Sequence, residues 1–348
     1  MRVGLVGCGL IGQRRAAVLN RFPDDEMVVV ADVVEASARA LAGELGCEGT
    51  GDWRQVTARD DVDALIVATT HEGLAVVAAE ALAQGKHVLV EKPMARNAEE
   101  AEAIIKGASE NAIVKVGFNH RHHAAVRQAR EVFDRGGIGG PLFIRCRYGH
   151  GGRPGYDKEW RADRRKSGGG ELLDQGIHAI DLCRWFLGDF GEVSCFTETY
   201  VWGAQAGETA AEKFSAETFT GVEDNAFALL RTKAGQVASL HASWTQWKNL
   251  FSLEIFGEAG YLIVEGLGGS YGRESLKVGR RNKGGGAPQE EVFEFPDVDI
   301  SWEAEWREFA AAVSEGRQPL ANGDDGYQAL QAVGGAYEAA RTGRVVRL

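Results

Sequence analysis

Two hydrophobic rhythms alternate along the first third of the chain. Short runs are apolar throughout: RVGLVG, MVVVAD, ALIVATT, HVLVEKP and IVKVGFN. Between them, over Ile11–Asn20, Glu35–Leu45, Gly73–Gln84 and Ala98–Glu110, apolar residues recur every three or four positions. Unbroken runs suit parallel strands covered on both faces, and the spaced pattern suits amphipathic helices. Strand–helix alternation of this kind predicts a doubly wound α/β domain.

The rhythm changes after about residue 123. A helical pattern over Ala125–Arg135 ends in glycines, PLFIRCRYGH reads as a strand, and a loop rich in glycine and charge runs to Ser167. After one more helix come EVSCFTETYVW, EDNAFALLRT, QVASLHASW, LFSLEIFG and YLIVEG, close-set runs that predict an antiparallel or mixed sheet. Residues 203–220 and 266–289 hold little to build a core and read as loops, the second (with KGGGAP) as a mobile one. Helical patterns near Trp302–Ser314 and Asp325–Arg341 close the chain.

The length of 348 residues fits two domains. Lysine plus arginine number 39 against 50 aspartates and glutamates, a formal charge of −11. That balance argues against a nucleic-acid partner, because phosphates reward a basic face. The five cysteines, Cys8, Cys47, Cys146, Cys183 and Cys195, are odd in number and show no metal or redox spacing. No leader pattern opens the sequence and no apolar run reaches membrane length, so a soluble cytoplasmic protein without a membrane partner is expected.

Candidate chemistry starts at VGLVGCGLIG. Gly7, Gly9 and Gly12 form G-x-G-x-x-G directly after a strand and at the start of a helix, with Leu10 and Ile11 between the last two glycines. The first glycine allows the tight turn, the second lets the backbone approach a pyrophosphate, and the third lets helix and strand pack closely. Asp32 ends the second strand 20 residues after Gly12. An acid there accepts hydrogen bonds from a ribose and repels a 2′-phosphate, which points to NAD over NADP, with Arg14 and Arg15 as nearby cations that oppose this. The plain alternative is a glycine turn of some other α/β fold.

Glu91, Lys92 and Pro93 fall at the carboxyl end of a predicted strand, the edge where open parallel sheets bind ligands. Lysine there can hold a proton or a positive charge beside a reacting oxygen; otherwise it is a surface lysine. Proline restricts the backbone and allows a cis bond. GGGELLDQGIHAIDLCRW then places Asp174 and His178 four residues apart, on one face of a regular helix, with Asp181 a turn beyond. Histidine titrates near neutral pH and suits proton transfer. Read blandly, the pair is a helix-surface contact.

These motifs together resemble the Gfo/Idh/MocA oxidoreductase family, which includes glucose–fructose oxidoreductase and inositol dehydrogenase. The resemblance spans nearly the whole chain and rests on VGCGLIG, EKP, GFNHRHH and G-G-G-x-L-x-D-x-G-x-H. It implies an N-terminal Rossmann dinucleotide-binding domain over residues 1–121. An α+β domain over 122–348 would follow, with a large open, mostly antiparallel sheet that carries a homodimer or homotetramer interface. The closing helices would be free to pack back on the first domain. It implies an NAD-dependent oxidation of a secondary alcohol of a sugar, cyclitol or sugar derivative. His178 would be the base, Lys92 would polarise the reacting oxygen, and Asp174 would orient hydroxyls or the histidine. Thr69, Thr70, Glu91, Lys92, Asn119, Trp160 and Arg161 join the glycine loop and Asp32 as expected cofactor contacts. Thr70 stands where the family commonly has proline, Leu74 where histidine is frequent, and Arg164 where proline is common.

Besides Lys92, the residues Arg121, His122, His150, Arg153 and Tyr156 are candidate substrate contacts, since polar loop groups can read a polyol or an anion; an ordinary solvated loop is the alternative. His120, His122 and His123 lack the acid or cysteine that would close a metal site, so none is expected. Trp244 and Trp247 read as core or interface, not as a sugar platform. Two rival functions stay open: an enzyme that retains NAD through a transient oxidation, and a silent NAD-binding sensor.

Overall fold

The computed structural model describes residues 1–202, 221–296 and 298–348. Two compact units emerge, one of Met1–Asn119 with Trp302–Leu330, the other of His120–Ser301 with Gln331–Leu348. The predicted loop over 203–220 lies outside the described residues.

The first unit is built on β1 (Arg2–Val6), β2 (Glu26–Ala31), β3 (Glu48–Thr50), β4 (Ala64–Val67), β5 (His87–Val90) and β6 (Val114–Val116). All pair in parallel, in the order β3-β2-β1-β4-β5-β6. The unbroken apolar runs are explained directly, since β4 is buried at every position. The helices are α1 (Leu10–Leu19), α2 (Glu35–Leu45), α3 (Trp53–Thr57), α4 (His71–Ala83) and α5 (Ala98–Gly107). Neither β3 nor α3 is visible in the hydrophobic rhythm. Both are short, and α3 starts where the Asp52 side chain accepts from Arg54 N at 3.0 Å. Trp306 and Phe309 complete the core of this unit against Leu19, Val30 and Ile66. Trp306 Nε1 donates to Asp25 at 2.8 Å, and Lys115 Nζ pairs with Glu308 at 2.7 Å.

The second unit carries β7 (Pro141–Gly149), β8 (Phe190–Glu198), β9 (Asn225–Thr232), β10 (Val237–Ser243), β11 (Leu250–Gly257), β12 (Gly260–Glu265), β13 (Ser275–Arg280), β14 (Gln289–Glu294) and β15 (Val346–Arg347). Their order is β14-β13-β12-β11-β7-β10-β9-β8-β15, with only β7 and β10 parallel. Its helices are α6 (Ala124–Asp134), α7 (Arg164–Ser167) and α8 (Ile177–Leu187); α9 (Ser301–Glu315) and α10 (Gly323–Thr342) follow, divided between the units. The segment 266–289, expected as a loop, contains a strand. SLKVGR is β13, whose Leu276 and Val278 pair with Val264 and Leu262 and are buried. Its period-2 pattern is only two apolar residues long and is hidden between glycines. The strand expected to run to Trp202 stops at Glu198, because the Asp224 carboxylate draws the amides of Tyr200, Val201 and Trp202 into a turn at 2.7–2.9 Å.

Candidate active site

The glycine loop separates what the fold requires from what a ligand requires. Gly7 has φ +101°, and a Cβ on it would lie 2.4 Å from the Ala68 carbonyl oxygen; one on Gly12 would lie 1.8 Å from that of Gly7. Gly9 is different. Its φ is −72°, at the N-cap of α1, and a Cβ there would meet nothing within 4 Å. The chain alone could carry a side chain at Gly9, so the space is left for something that approaches the helix N-terminus, as a dinucleotide's phosphates do. Asp32 is fixed beside it: Oδ2 accepts from Cys8 N at 2.7 Å and Oδ1 from Val34 N at 2.8 Å. Leu10 is 82% exposed and Val33 87%. Val33 and Val34 are apolar and exposed after the strand-ending acid, at positions that no motif marks. On this geometry Gly9→Ala is expected to raise the Kd for NAD about tenfold, a loss of about 1.4 kcal/mol. Tm should hold or rise, since alanine at a compatible backbone restricts the unfolded chain. Calorimetric titration and a melting curve check both.

Thr69 and Thr70 follow β4, Thr69 Oγ1 donating to the Thr70 carbonyl at 2.9 Å while Thr70 occupies the N-cap position of α4 without a side-chain capping bond. Lys92 lies two residues past the end of β5, half-buried, and its bond to Pro93 is cis, the isomer that the EKP stretch allowed. Glu91, also among the expected cofactor contacts, is held by its carboxylate: Oε1 accepts from Arg15 Nε at 2.7 Å, and Arg15 Nη1 reaches Glu305 at 2.5 Å. Arg14 lies over the Trp302 ring at 5.0 Å. The cations that opposed the NAD assignment therefore have other partners. Asn119 is buried just after β6.

In the second unit the segment before α8 is not the regular helix expected. Leu172–Gly176 is a π-helical turn that passes directly into α8. Simple i, i+4 arithmetic does not hold across it, and such turns are frequent at functional sites. Asp174 Oδ2 lies 3.4 Å from Arg161 Nε, and the Arg161 guanidinium stacks on Trp160 at 4.5 Å. The His178 ring stacks on His120 at 3.9 Å, with Tyr148 beyond at 6.1 Å. Gln175 Nε2 donates to Tyr271 at 3.2 Å. Burial, then neighbouring charge, raises the Tyr148 hydroxyl well above its usual range and pushes Tyr271 up to about 12. Both are neutral hydroxyls at physiological pH.

The other sequence candidates fall as follows. Arg121 is buried and holds Asp181 through two hydrogen bonds of 2.9 and 2.6 Å. His122 is buried in the same 3-10 turn, Asn119–His122, and His123 lies 3.2 Å from Glu274. His150 Nδ1 accepts from Gly152 N at 2.8 Å. Arg153 is paired at the surface with Glu159. Tyr156 is buried edge-on against Trp244 at 4.7 Å. Trp244 is core, as read, whereas Trp247 is 67% exposed. Tyr148, Gln175 and Tyr271 carried no motif that would have marked them.

A parallel 3-2-1-4-5-6 sheet with this glycine loop and acid defines a dinucleotide-binding Rossmann domain of the NAD type. Residues 1–120 match the oxidoreductase family, NAD-binding Rossmann fold, and residues 126–263 the GFO/IDH/MocA C-terminal domain, so the chain belongs to the Gfo/Idh/MocA family. It is 30% identical to levoglucosan dehydrogenase of Pseudarthrobacter phenanthrenivorans over 287 residues, 76% of this chain and 73% of that one. It is 29% identical to 1,5-anhydro-D-fructose reductase of Ensifer adhaerens over 100% of this chain and 98% of the relative. Myo-inositol 2-dehydrogenase of Thermotoga maritima is 26% identical, with 95% and 93% covered. A levoglucosan dehydrogenase structure, in complex with NADH and levoglucosan, shares the fold with a TM-score of 0.88 at 24% identity, covering 100% of this chain and 99% of that chain.

Proposed function

We propose that the protein oxidises a secondary alcohol of a sugar, anhydrosugar or cyclitol with NAD and releases NADH at each turnover. Bound nicotinamide supplies the hydride acceptor. Lys92 stabilises charge developing on the substrate oxygen, His178 takes the hydroxyl proton, and Asp174, oriented by Arg161, holds substrate hydroxyls. The observation that carries this reading is the π-turn. It brings Asp174 to Arg161 at 3.4 Å, while its continuation sets His178 against His120 at 3.9 Å. The names of the relatives, all sugar or cyclitol oxidoreductases, support the substrate class. The experiment is NADH absorbance on mixing protein and NAD with levoglucosan, inositols, aldoses and uronates, and NADH oxidation with 1,5-anhydro-D-fructose. Stoichiometric NADH with one class supports the proposal; NAD binding without turnover on any of them overturns it. Asp32→Ala should lower the preference for NAD over NADP at least about tenfold, because the acid's repulsion of a 2′-phosphate disappears; unchanged preference in kcat/KM would remove Asp32 from that role.

The same reading includes a homo-oligomer in the cytoplasm. Among the described residues no helix is long and apolar enough to cross a membrane. Phe196, Phe227 and His241 are cross-strand partners on one sheet face, with Leu229 beside them. Phe196 is 70% and Leu229 55% exposed, an apolar surface that a second copy would cover. Light scattering tests this, and a monomer at micromolar concentration overturns it.

A further inference from the structure

The glycines of GGGELLDQGIH suggest close approach to a cofactor, yet part of that space is filled from within the second unit. A Cβ on Gly169 would lie 2.1 Å from the Tyr337 hydroxyl, and one on Gly170 would lie 2.0 Å from the Glu223 carbonyl oxygen. Glu223 meets this segment with both its backbone and its side chain. Its carbonyl accepts from Glu171 N at 3.0 Å, Oε2 from Gly170 N at 3.1 Å, and Oε1 from Leu172 N at 3.0 Å. The Tyr337 hydroxyl donates to the same Oε1 at 2.7 Å and accepts from Gly170 N at 3.2 Å. The amides so held are those at the start of a helix, which have no partner within the helix itself.

We propose that Glu223, braced by Tyr337, is a positioning residue for catalysis: a carboxylate supplied from far along the chain that caps the π-turn and so sets Asp174 and His178. This rests on the catalytic reading of those two residues. The next amide links confirm how short the lever is, since Asp174 N and Leu173 N both donate to the Gly170 carbonyl, at 2.9 and 3.1 Å. Loss of hydration raises the Glu223 carboxyl above its ordinary range, an effect that Tyr337 and the amides offset only in part. The side chain thus gathers two amides of one turn and the hydroxyl of a distant helix at a single carboxylate, the arrangement of a device that fixes the turn in place.

The test pairs amide exchange with kinetics in the full-length protein, using Glu223→Gln, Glu223→Ala and Tyr337→Phe, with His178→Ala measured alongside. Exchange over residues 168–178, read by mass spectrometry, needs no substrate. It should quicken at least about tenfold in both Glu223 variants while peptides of β1 and β4 are unchanged. With the substrate found by the panel, kcat should fall about 100-fold in Glu223→Ala and about tenfold in Glu223→Gln, with NAD affinity unchanged, since small displacements of reacting groups cost about this much. Tyr337→Phe, which removes one hydroxyl and keeps the fold, should quicken exchange at Gly170 and lower kcat severalfold. Exchange and kcat at wild-type values in Glu223→Gln and Tyr337→Phe overturn the proposal. So does a loss of kcat matched by an equal loss of NAD affinity. If His178→Ala keeps full turnover, the catalytic reading fails, and the exchange data still decide whether Glu223 holds the turn.

Discussion

Lys92→Met is expected to lower kcat/KM by about 1,000-fold or more while leaving NAD affinity close to that of the native protein. Methionine nearly matches the length of lysine and removes only the ammonium. Lys92 sits at the carboxyl end of β5, half-buried, with the following Pro93 buried and Glu91 held by Arg15. The side chain thus leaves a backbone fixed on both sides, and its charge acts at a defined place. Removing one group that stabilises an oxyanion costs about 10²–10³ in rate, and removing a proton-transfer group about 10²–10⁴. A lysine in either role falls in that span. Lys92→Arg would restore charge but not the compact, deprotonatable ammonium, and should lie between the two. Steady-state NADH formation and calorimetric NAD binding separate the effects. Turnover within a few fold of native in Lys92→Met would exclude lysine from the chemistry.

What was legible in the sequence follows from which interactions are local. The parallel sheet was readable because β1, β2, β4 and β5 are apolar at nearly every position, a signal that survives without any knowledge of partners. Gly7, Gly9, Gly12 and Asp32 were readable because a strand, a turn and a helix encode them within one unit. The π-turn was not, since Leu173, Ile177 and Ile180 fall at spacings that a regular helix also gives, and the turn's first amides are held by Glu223, about 50 residues away. The role of Glu91 was hidden for the same reason. EKP marks a place, but only the fold brings Arg15 and Glu305 to that carboxylate. Buried ionic partners far apart in sequence leave no periodic trace.

Arg121 and Asp181 give the second large effect. Asp181→Asn is expected to destabilise the protein by about 3–5 kcal/mol, because it leaves a buried guanidinium without its compensating charge. For a unit of this size that is a fall in Tm of roughly 10 °C. Both side chains are almost fully buried, and the guanidinium also lies over Trp185 at 5.3 Å. The 3-10 turn that carries Arg121 also presents His120 to His178, and Asp181 lies three residues after His178 on α8. Ion pair and imidazole stack are thus two adjacent contacts between one turn and one helix face. Loosening the first should therefore lower kcat as well as Tm, whereas a substrate-binding Arg121 would show chiefly as a raised KM. The double variant Arg121→Met/Asp181→Leu sharpens the distinction. Replacing both charges by apolar groups of similar bulk should recover most of the stability, since a buried pair is weakly stabilising as a pair and costly only when broken. Thermal melts of the single and double variants, with KM and kcat for each, measure this directly. Recovery of Tm with KM near native fits a structural pair, and a KM raised more than about tenfold in both would return Arg121 to the substrate.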